Sequence, residues 1–492
     1  NYISKLQIAT CLIPPQIHIR IAITEFERTN MKKIIKFGGS SVANGKGFRQ
    51  VASIIEDTLN AGHEVFVVLS AMRGVTDALI EIALGMREGR YMENKIQEIH
   101  ELHEETILEL GLDSDFDLVT TFGQYSSQII GHMPNCPGAS IDFNMWKDGL
   151  LCFGELFSTK ILSSYLKKNR IDAEVLDARK VVVTDSTYGH AYVHYQKSYD
   201  RIREYVMNRS RLQVITGFLG ANEYGNTSTL GRSGSDYSAS IFGAALNVDE
   251  IEIWTDVDGI LTANPKLVER PISIAELTYE EAMELAHAGA KVIFPPTMIP
   301  ALYKQIPITI KNTFNPGAPG SRISQDRVLG DEITVGLSSV SHVSLIRLQG
   351  AGMVGVKGIN ARLFTCLAEK GISVMLVSQA FSEHSTCFAL KPGETDKAVL
   401  AIEDEFANEL KLKYIDKIKV EGDLSLVAVV GEGMQTTPGI AGVIFEVLGR
   451  ERINVEAIAQ GSTKRNISFI VADMDVKRAI QALHRRLFES TS

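Results

Sequence analysis

The last third of the chain contains an internal repeat, and this repeat limits how the region can fold. Positions recur with one constant offset, as in Gly352 and Gly433 (433 − 352 = 81), without a gap. Each copy is predicted to form a strand, a glycine turn, a helix and two further strands, with helical spacing in pairs such as Phe364 and Leu367. A gapless match over this length predicts two copies of one small module.

Between Met31 and about Gln325, short apolar segments alternate with helical patterns. The segments rich in Val and Ile predict strands at residues 32–36, 65–69, 173–176, 212–216, 251–254 and 306–310. Helical patterns between them include residues 157–168 and 279–287. Such alternation predicts an α/β domain with a mainly parallel sheet that is buried by helices on both faces.

A glycine-rich turn follows the first predicted strand. It reads Phe37-Gly38-Gly39-Ser40-Ser41-Val42 and places Lys36 at the carboxyl end of the strand, where open α/β sheets bind ligands. The Lys36 ammonium and the glycine amides would then face the same anion. Taken alone, a glycine-rich turn after a strand is common and proves little.

Residues 227–240 form a second glycine-rich segment, which places hydroxyls, glycines, Arg232 and Asp236 in a turn that opens into a helix. The glycines let the backbone approach a ligand, and either Ser235 or Asp236 is expected to cap the helix. The N–H groups of its first turn favour a phosphate or a carboxylate. The segment predicts an anion site, with a plain glycine-rich loop as the alternative.

Composition excludes some function classes. With 492 residues, 45% of them hydrophobic, the chain should form two or three domains. A formal net charge of −9 argues against a nucleic-acid binder. The cysteines lack metal-ligand spacing and no apolar stretch is long enough to span a membrane, so we expect reduced thiols and a cytoplasmic protein. Residues 1–30 lack the features of a secretory signal, and we expect an extension outside the core.

Five motifs occur in a fixed order, and together they carry a family resemblance. They are Lys36-Phe37-Gly38-Gly39-Ser40-Ser41-Val42, Val67-Val68-Leu69-Ser70-Ala71-Met72, Phe153-Gly154-Glu155, residues 232–237 and Trp254-Thr255-Asp256-Val257-Asp258-Gly259. From Met31 almost to its end the chain resembles the aspartokinases of the amino acid kinase superfamily. With Asn312-Thr313-Phe314-Asn315-Pro316 and the paired repeats, it is most similar to the kinase half of bifunctional aspartokinase–homoserine dehydrogenases.

The resemblance implies a domain order. An extension at residues 1–30 precedes an α/β catalytic domain at 31–325, a three-layer αβα amino acid kinase domain with a mainly parallel sheet. Two α+β ACT-like modules of βαββαβ topology follow at 326–420 and 421–492. Such modules bind amino acids and commonly pack together as a regulatory head, so we expect a homo-oligomer formed through them.

The resemblance also implies the reaction. Aspartate kinases transfer the γ-phosphate of ATP, bound with Mg²⁺, to the β-carboxylate of L-aspartate, which is the first step of lysine, threonine and methionine biosynthesis. Two anions must meet, so positioning and charge neutralisation dominate catalysis. Lys36 is predicted to contact the transferring phosphoryl group, Asp236 to organise Lys36 and the cations, and Arg232 to clamp a substrate carboxylate. The predicted substrate contacts, with Glu155 on the α-ammonium, are Ser70, Thr76, Glu155, Arg232 and Ser235.

The predicted ATP contacts are Lys36, Gly38, Gly39, Ser40, Thr255, Asp256, Lys266 and Lys291. Four positions depart from the pattern of the resembled family: Leu261 where an aromatic residue is common, Asn264 for Asp, Lys266 for Arg and Phe294 for His. We expect weaker base stacking and phosphate contact, yet an active enzyme, because the departures do not touch Lys36, Arg232 or Asp236. No metal site made by the protein alone is predicted.

Gln379 and Gln460 occupy matching positions in the two repeats and correspond by resemblance to glutamines that bind threonine. A terminal amide can both donate and accept, which suits an amino-acid effector, although a turn-stabilising glutamine is the alternative. Feedback inhibition by threonine is therefore expected. Two other functions stay open: a related kinase with another acidic substrate such as glutamate, and a catalytically silent amino-acid sensor.

Two further patterns are interpreted as structural. Residues 350–355 satisfy G-x-G-x-x-G, but Ser378 and Gln379 stand where a dinucleotide site needs an acidic residue, and the second repeat lacks the third glycine. His100 and His103 share a helical face with several glutamates, which predicts a solvated charged surface in preference to a metal site.

Overall fold

The structure is a computed structural model, and it describes residues 30–138, 140, 142–207, 209–290, 294–325, 327, 333–379, 384–391 and 393–489. The chain divides into two compact units. The first comprises Asn1–Asp258 and Pro296–Pro319, and the second comprises Gly259–Pro295 and Gly320–Ser492. Residues 259–295, which the predicted catalytic domain includes, therefore cluster with the second unit.

The strands are β1 (Lys32–Phe37), β2 (Glu64–Leu69), β3 (Ala173–Leu176), β4 (Val183–Thr184), β5 (Leu212–Thr216), β6 (Leu219–Asn222), β7 (Thr227–Thr229), β8 (Glu250–Thr255), β9 (Glu276–Thr278), β10 (Ile308–Asn312), β11 (Ser321–Ser324), β12 (Gly336–Gln349), β13 (Val374–Gln379), β14 (Ser385–Leu390), β15 (Lys417–Val430), β16 (Ala457–Gln460) and β17 (Asn466–Ala472). The α-helices are α1 (Gly45–Asn60), α2 (Val75–Arg87), α3 (Glu93–Glu109), α4 (Phe116–His132), α5 (Phe143–Lys168), α6 (Tyr195–Met207), α7 (Gly234–Leu246), α8 (Tyr279–His287), α9 (Pro295–Lys304), α10 (Ile359–Glu369), α11 (Thr395–Glu405), α12 (Ala407–Lys411), α13 (Ile440–Arg450) and α14 (Val476–His484).

The first unit is built on parallel strands in the order β3-β5-β2-β1-β8-β10. Phe37 pairs with Leu69 on one side and with Trp254 on the other, and Leu69 pairs with Thr216. The carboxyl ends of four adjacent strands therefore meet at one edge. In open α/β sheets this edge is where ligands bind.

Helices cover both faces of this sheet. Successive side chains of a strand point to opposite faces. Ile251 of β8 faces α7, where a Cβ on Gly243 would come within 2.7 Å of its Cδ1 atom. The next residue, Glu252, shares a crevice with Ile54 and Asp57 of α1. The predicted three-layer α/β class of this unit is confirmed.

In the second unit, one antiparallel sheet with the order β13-β14-β12-β15-β17-β16 joins the two repeats. Residues 344–349 of β12 pair with β14 in the first repeat, whereas residues 336–340 pair with residues 426–430 of β15. Accordingly, Leu348 lies in a core with Phe388, and Leu337 lies in a core with Phe469. The α+β class is confirmed, and each long strand serves both modules. The predicted limits at 326–420 and 421–492 stay predictions.

Two expectations about local structure are wrong. His103 does not lie on a solvated face: it is fully buried against Phe122 and Phe157, and burial lowers its pKa to about 4. Strand β10 begins at Ile308, two residues later than predicted, because the Ile306 N–H donates to the Ala301 carbonyl (3.0 Å) and Pro307 has no N–H group to donate. Among the described residues, none of the helices is long and apolar enough to cross a membrane.

Candidate active site

A cavity of about 600 Å³ lies at the carboxyl edge of the parallel strands in the first unit. It is lined by the end of β1, the loop after β2, one face of α5 and the first turn of α7. All of the predicted catalytic and substrate residues line it: Lys36, Ser70, Thr76, Glu155, Arg232, Ser235 and Asp236. Residues from four distant segments thus meet in one place, while their individual roles stay predictions.

Lys36 and Asp236 form an ion pair at the wall of this cavity. The Lys36 Nζ atom lies 2.5 Å from Oδ1 of Asp236, and the two side chains are 10% and 11% exposed. The pair arises because α7 packs against β1, which brings the first turn of the helix beside the strand end. Attraction between opposite charges is stronger here than in water, so the ammonium is held in one position at the cavity.

The turn after β1 is tied to its neighbours by hydrogen bonds. The Gly38 N–H donates to the Trp254 carbonyl oxygen (3.1 Å), and the Ser41 hydroxyl is 2.7 Å from the buried Thr313 hydroxyl. At Gly39 a side chain would clash, since a Cβ atom would lie 2.9 Å from the Ala71 carbonyl oxygen. The turn is thereby held close to both β8 and the loop after β2, with backbone groups at the cavity.

Helix α7 begins at Gly234, two residues earlier than a cap at Ser235 would require. Ser233 occupies the N-cap position in the left-handed conformation (φ 54°), and its side chain makes no capping hydrogen bond. The expectation that Ser235 or Asp236 caps the helix is wrong, because both residues lie inside the first turn. The first turn lines the cavity, so the positive end of the helix dipole faces any anion bound there.

Glu155 places a buried carboxyl group in the cavity wall. It is 2% exposed; its Oε1 atom accepts a hydrogen bond from the Ala71 N–H (3.2 Å), and Oε2 has no hydrogen-bond partner among the described residues. Burial raises its pKa from 4.5 to about 8. A buried oxygen without a partner is costly, so this atom is suited to a donor supplied by a ligand.

Asp148, which the sequence did not single out, holds two backbone segments of the cavity wall. It is fully buried in α5 and accepts hydrogen bonds from the N–H groups of Gly189 and Thr229, both at 2.8 Å. Both partners line the cavity. The available signal was a carboxylate close to the apolar residues Trp146, Leu150 and Leu151, which indicates that the group needs partners but does not indicate which residues they are.

The predicted nucleotide contacts are distributed over the chain. Gly39 and Ser40 line the cavity, and Gly38 is adjacent to them. Thr255 and Asp256 lie at the end of β8, directly after the residue whose carbonyl binds Gly38. Lys266 is an exposed residue of the second unit, and Lys291 lies outside the described residues. Of the predicted ATP contacts that the structure describes, Lys36, Gly39 and Ser40 therefore line the cavity, whereas Gly38, Thr255, Asp256 and Lys266 do not.

In the second unit, Gln379 lies at the end of β13 and lines a separate cavity of about 470 Å³. Its Oε1 atom accepts from the Asn360 amide (2.8 Å), and the Thr386 hydroxyl donates to the same asparagine (3.2 Å). Gln460 is exposed at the end of β16. The two predicted effector residues thus occupy equivalent strand ends with different surroundings.

Comparison with known proteins identifies both parts of the chain. Residues 31–312 match the amino acid kinase family, and residues 346–406 and 427–487 each match the ACT domain. A parallel α/β kinase fold with a ligand cavity at its strand ends, joined to two ACT domains, defines the class of protein.

Curated relatives with similar sequences narrow this class of protein. A bifunctional aspartokinase/homoserine dehydrogenase of Haemophilus influenzae is 34% identical over 463 residues, which are 93% of this chain and 57% of that protein. The chain spans little more than half the length of such bifunctional relatives. Chloroplastic aspartokinase 1 of Arabidopsis thaliana is 33% identical over 483 residues, with 95% of this chain and 82% of that protein covered.

The solved structures similar to this chain include aspartokinases as well. Aspartokinase III of E. coli in complex with aspartate and ADP is 28% identical, with a TM-score of 0.78 and coverage of 93% of this chain and 99% of that one. The aspartate kinase of Clostridium acetobutylicum gives a TM-score of 0.77 at 29% identity, covering 92% and 100%. The chain belongs to the aspartokinase family, and the resemblance inferred from its motifs is confirmed.

Proposed function

We propose that the protein is an aspartate kinase, which transfers the γ-phosphoryl group of ATP to the β-carboxylate of L-aspartate and forms 4-phospho-L-aspartate. The observation that carries the proposal is the single cavity shared by the Lys36–Asp236 ion pair, Arg232 and the buried carboxyl of Glu155. Membership of the aspartokinase family supports it. The reaction would be the first step of lysine, threonine and methionine biosynthesis.

The residues of the cavity have complementary tasks in this reaction. The Lys36 ammonium, held by Asp236, reduces the repulsion between the transferring phosphoryl group and the attacking carboxylate. The planar guanidinium of Arg232 suits a second carboxylate of the substrate. The unpaired oxygen of Glu155 accepts from the α-ammonium, so that both ends of the amino acid are held.

Mg²⁺ is proposed to enter with ATP. Mg²⁺ takes six oxygen ligands, keeps several waters and usually needs only one or two carboxylates beside the phosphates. Asp236 supplies one carboxylate at the cavity, and no group of three or more His, Cys, Asp or Glu among the described residues could hold a metal. These donors fit a cation carried by the nucleotide, whose chemistry is to neutralise phosphate charge.

The test is formation of an acyl phosphate, trapped with hydroxylamine, in the presence of ATP and Mg²⁺. We expect hydroxamate with aspartate and much less with glutamate in a parallel reaction. Product with glutamate alone would reassign the substrate to another acidic amino acid. No product and no ATP consumption, despite binding of an amino acid, would favour the silent sensor.

Threonine is proposed as the feedback inhibitor, acting through Gln379 and Gln460. The amide, hydroxyl and carbonyl groups around Gln379 can bind both the ammonium and the carboxylate of an amino acid. The E. coli aspartokinase III structure with lysine and aspartate, 29% identical to this chain, makes lysine the competing effector to test. Inhibition by threonine is expected, inhibition by lysine alone would reassign the effector, and activity unchanged by either would contradict the proposal.

A cytoplasmic homo-oligomer formed through the ACT domains remains part of the proposal. Sedimentation of the purified chain would test the oligomer directly. A monomer at the concentrations of the kinase assay would contradict it.

A further inference from the structure

We propose that Asp148 is a positioning residue, which fixes one wall of the cavity and thereby the loop that carries Arg232. The inference rests on the proposed kinase function, in which Arg232 binds a carboxylate of the substrate and Glu155 binds its α-ammonium. Asp148 itself does not line the cavity and is not assigned to the chemistry.

The carboxylate of Asp148 joins two segments that are distant in sequence. Its Oδ2 atom accepts from the N–H groups of Gly189 and Thr229 (both 2.8 Å), and Oδ1 accepts from the Thr229 hydroxyl (3.0 Å). These partners lie 41 and 81 residues further along the chain. Because both line the cavity, one buried group sets the position of both segments of its wall.

This arrangement is more than a satisfied polar group in a core. Burial raises the pKa of Asp148, while the two backbone N–H groups and the Thr229 hydroxyl counteract the rise. Removing the acceptor would leave the buried Thr229 N–H and the half-buried Gly189 N–H without a partner, so the Thr229 segment would have to move to reach water. A shift of either segment changes the shape of the cavity.

The wall continues directly into the loop of Arg232. The Ala191 N–H donates to the Thr229 carbonyl (2.9 Å), which joins the Gly189 segment to the end of β7. A Cβ atom on Gly231 would lie only 3.3 Å from the Gly189 carbonyl oxygen, so the two segments are in close contact. Arg232 is the next residue. Its backbone is therefore positioned by the segments that Asp148 holds.

The same helix also carries Glu155. Asp148 and Glu155 lie about two turns apart in α5, which places them near one face of the helix. Helix α5 thus holds the Glu155 carboxyl directly and the Arg232 loop through Asp148. The ammonium and carboxylate groups of an amino acid have a fixed separation, so this common support sets how well both can be bound at once.

The experiment compares Asp148→Ala with Asp148→Asn. An asparagine can accept both N–H groups on its oxygen and donate to the Thr229 hydroxyl, so it preserves the geometry without the charge. We expect Asp148→Ala to raise the KM for aspartate about ten- to a hundredfold while the KM for ATP changes little, and Asp148→Asn to stay within about threefold of wild type. Equal KM values in Asp148→Ala and wild type would overturn the proposal, as would an asparagine variant as impaired as the alanine variant.

Two further variants separate positioning from stability. Ser163→Ala removes another buried side-chain hydrogen bond of α5, to the Ala173 carbonyl, away from the cavity. It should lower the melting temperature and leave the KM for aspartate unchanged. Thr229→Val removes only the hydroxyl bond to Asp148 and should raise the KM for aspartate a few-fold. This variant keeps the proposal testable if Asp148→Ala does not fold. In that case, an unchanged KM for aspartate in Thr229→Val would overturn the proposal. A wild-type protein without aspartate-dependent product would instead refute the proposed function.

Discussion

Glu155 is a carboxyl group whose charge is poorly solvated, because its side chain is buried in the cavity wall. The ionised form of a buried acid is disfavoured, and the one hydrogen bond from Ala71 offsets only part of the penalty, so the pKa rises to about 8. Near neutral pH the free protein therefore holds Glu155 largely protonated. A ligand ammonium at Oε2 would favour the ionised form, which links substrate binding to loss of a proton.

Glu155→Gln is expected to stabilise the fold and to weaken aspartate binding. The folded pKa lies above the ordinary value of 4.5, so the wild type loses stability as the pH rises from about 4.5 to about 8 and no further above it. Glutamine has no such ionisation, and its free energy of unfolding at pH 8 should exceed that of wild type by on the order of a few kcal/mol. Denaturant unfolding at pH 5 and pH 8 measures this difference.

The same variant should raise the KM for aspartate at least about tenfold, because a neutral amide replaces a charge-assisted hydrogen bond to the ammonium. Ser163→Ala, a change at another buried polar position of α5, is a control without contact to the cavity. A Glu155→Gln protein that is less stable than wild type at pH 8, or that binds aspartate normally, would contradict this account of the residue.

At the residue scale, the sequence predicted the members of the cavity but not its support. Lys36, Arg232 and Asp236 stand in recognisable glycine-rich motifs, so their meeting could be anticipated. The contacts of Asp148 could not be predicted, because its partners lie 41 and 81 residues away and no local pattern connects them. The buried state of His103 was missed for a similar reason, since its aromatic neighbours belong to other helices.

At the scale of elements, the predicted strand bounds lie within two residues of the observed ones, and helix α8 matches its predicted range. β3 and β5 match the predicted ranges residue for residue. Helix α5 was predicted only from residue 157, whereas it begins at Phe143. Its first half carries Asp148, Gly149, Gly154 and Glu155, which interrupt the apolar period that marks a helix. Asp148 and Glu155, which contribute to the cavity wall, thus also obscured the helical pattern of the first half of α5.

Gly154 lets α5 approach the loop after β2, which predicts a difference between two helical glycines. A Cβ atom on Gly154 would lie 2.8 Å from the Ala71 Cβ, so Gly154→Ala should cost about 1–3 kcal/mol of stability and displace the neighbouring Glu155. Gly123 in α4 has nothing within 4 Å, and Gly123→Ala should instead stabilise by about 0.5–1 kcal/mol. Thermal unfolding of the two variants measures both effects; a stabilised Gly154→Ala protein would show that the close approach is absent.

At the scale of the whole molecule, the two repeats are alike in sequence but differ in their polar sites. Asn360 and Thr386, which surround Gln379, correspond at the constant offset of 81 to Ala441 and Ile467. Gln460 therefore lacks the equivalent partners in its own repeat. The repeat itself was visible in the sequence, whereas the division of β12 between both modules was not, because strand pairing is non-local.

This asymmetry predicts unequal effects on regulation. Gln379→Ala should raise the threonine concentration for half-maximal inhibition about tenfold or more, whereas Gln460→Ala should change it less, since the first repeat alone offers several polar groups to an amino acid. Kinase assays over a threonine titration measure both, and activity without threonine serves as the control for each variant. An equal or larger effect of Gln460→Ala would contradict the assignment of the main effector site to the first repeat.

The most direct test of the central claim is the aspartate-dependent hydroxamate assay with wild type and Lys36→Ala. The account predicts product from the wild type and a loss of at least about a hundredfold in Lys36→Ala, because the ammonium that neutralises the transferring group is gone. Lys36→Ala leaves the buried Asp236 carboxylate without its partner, so its melting temperature should fall, and a circular dichroism spectrum equal to that of wild type at the assay temperature shows that the loss is chemical. Wild-type activity that persists in folded Lys36→Ala would contradict the account.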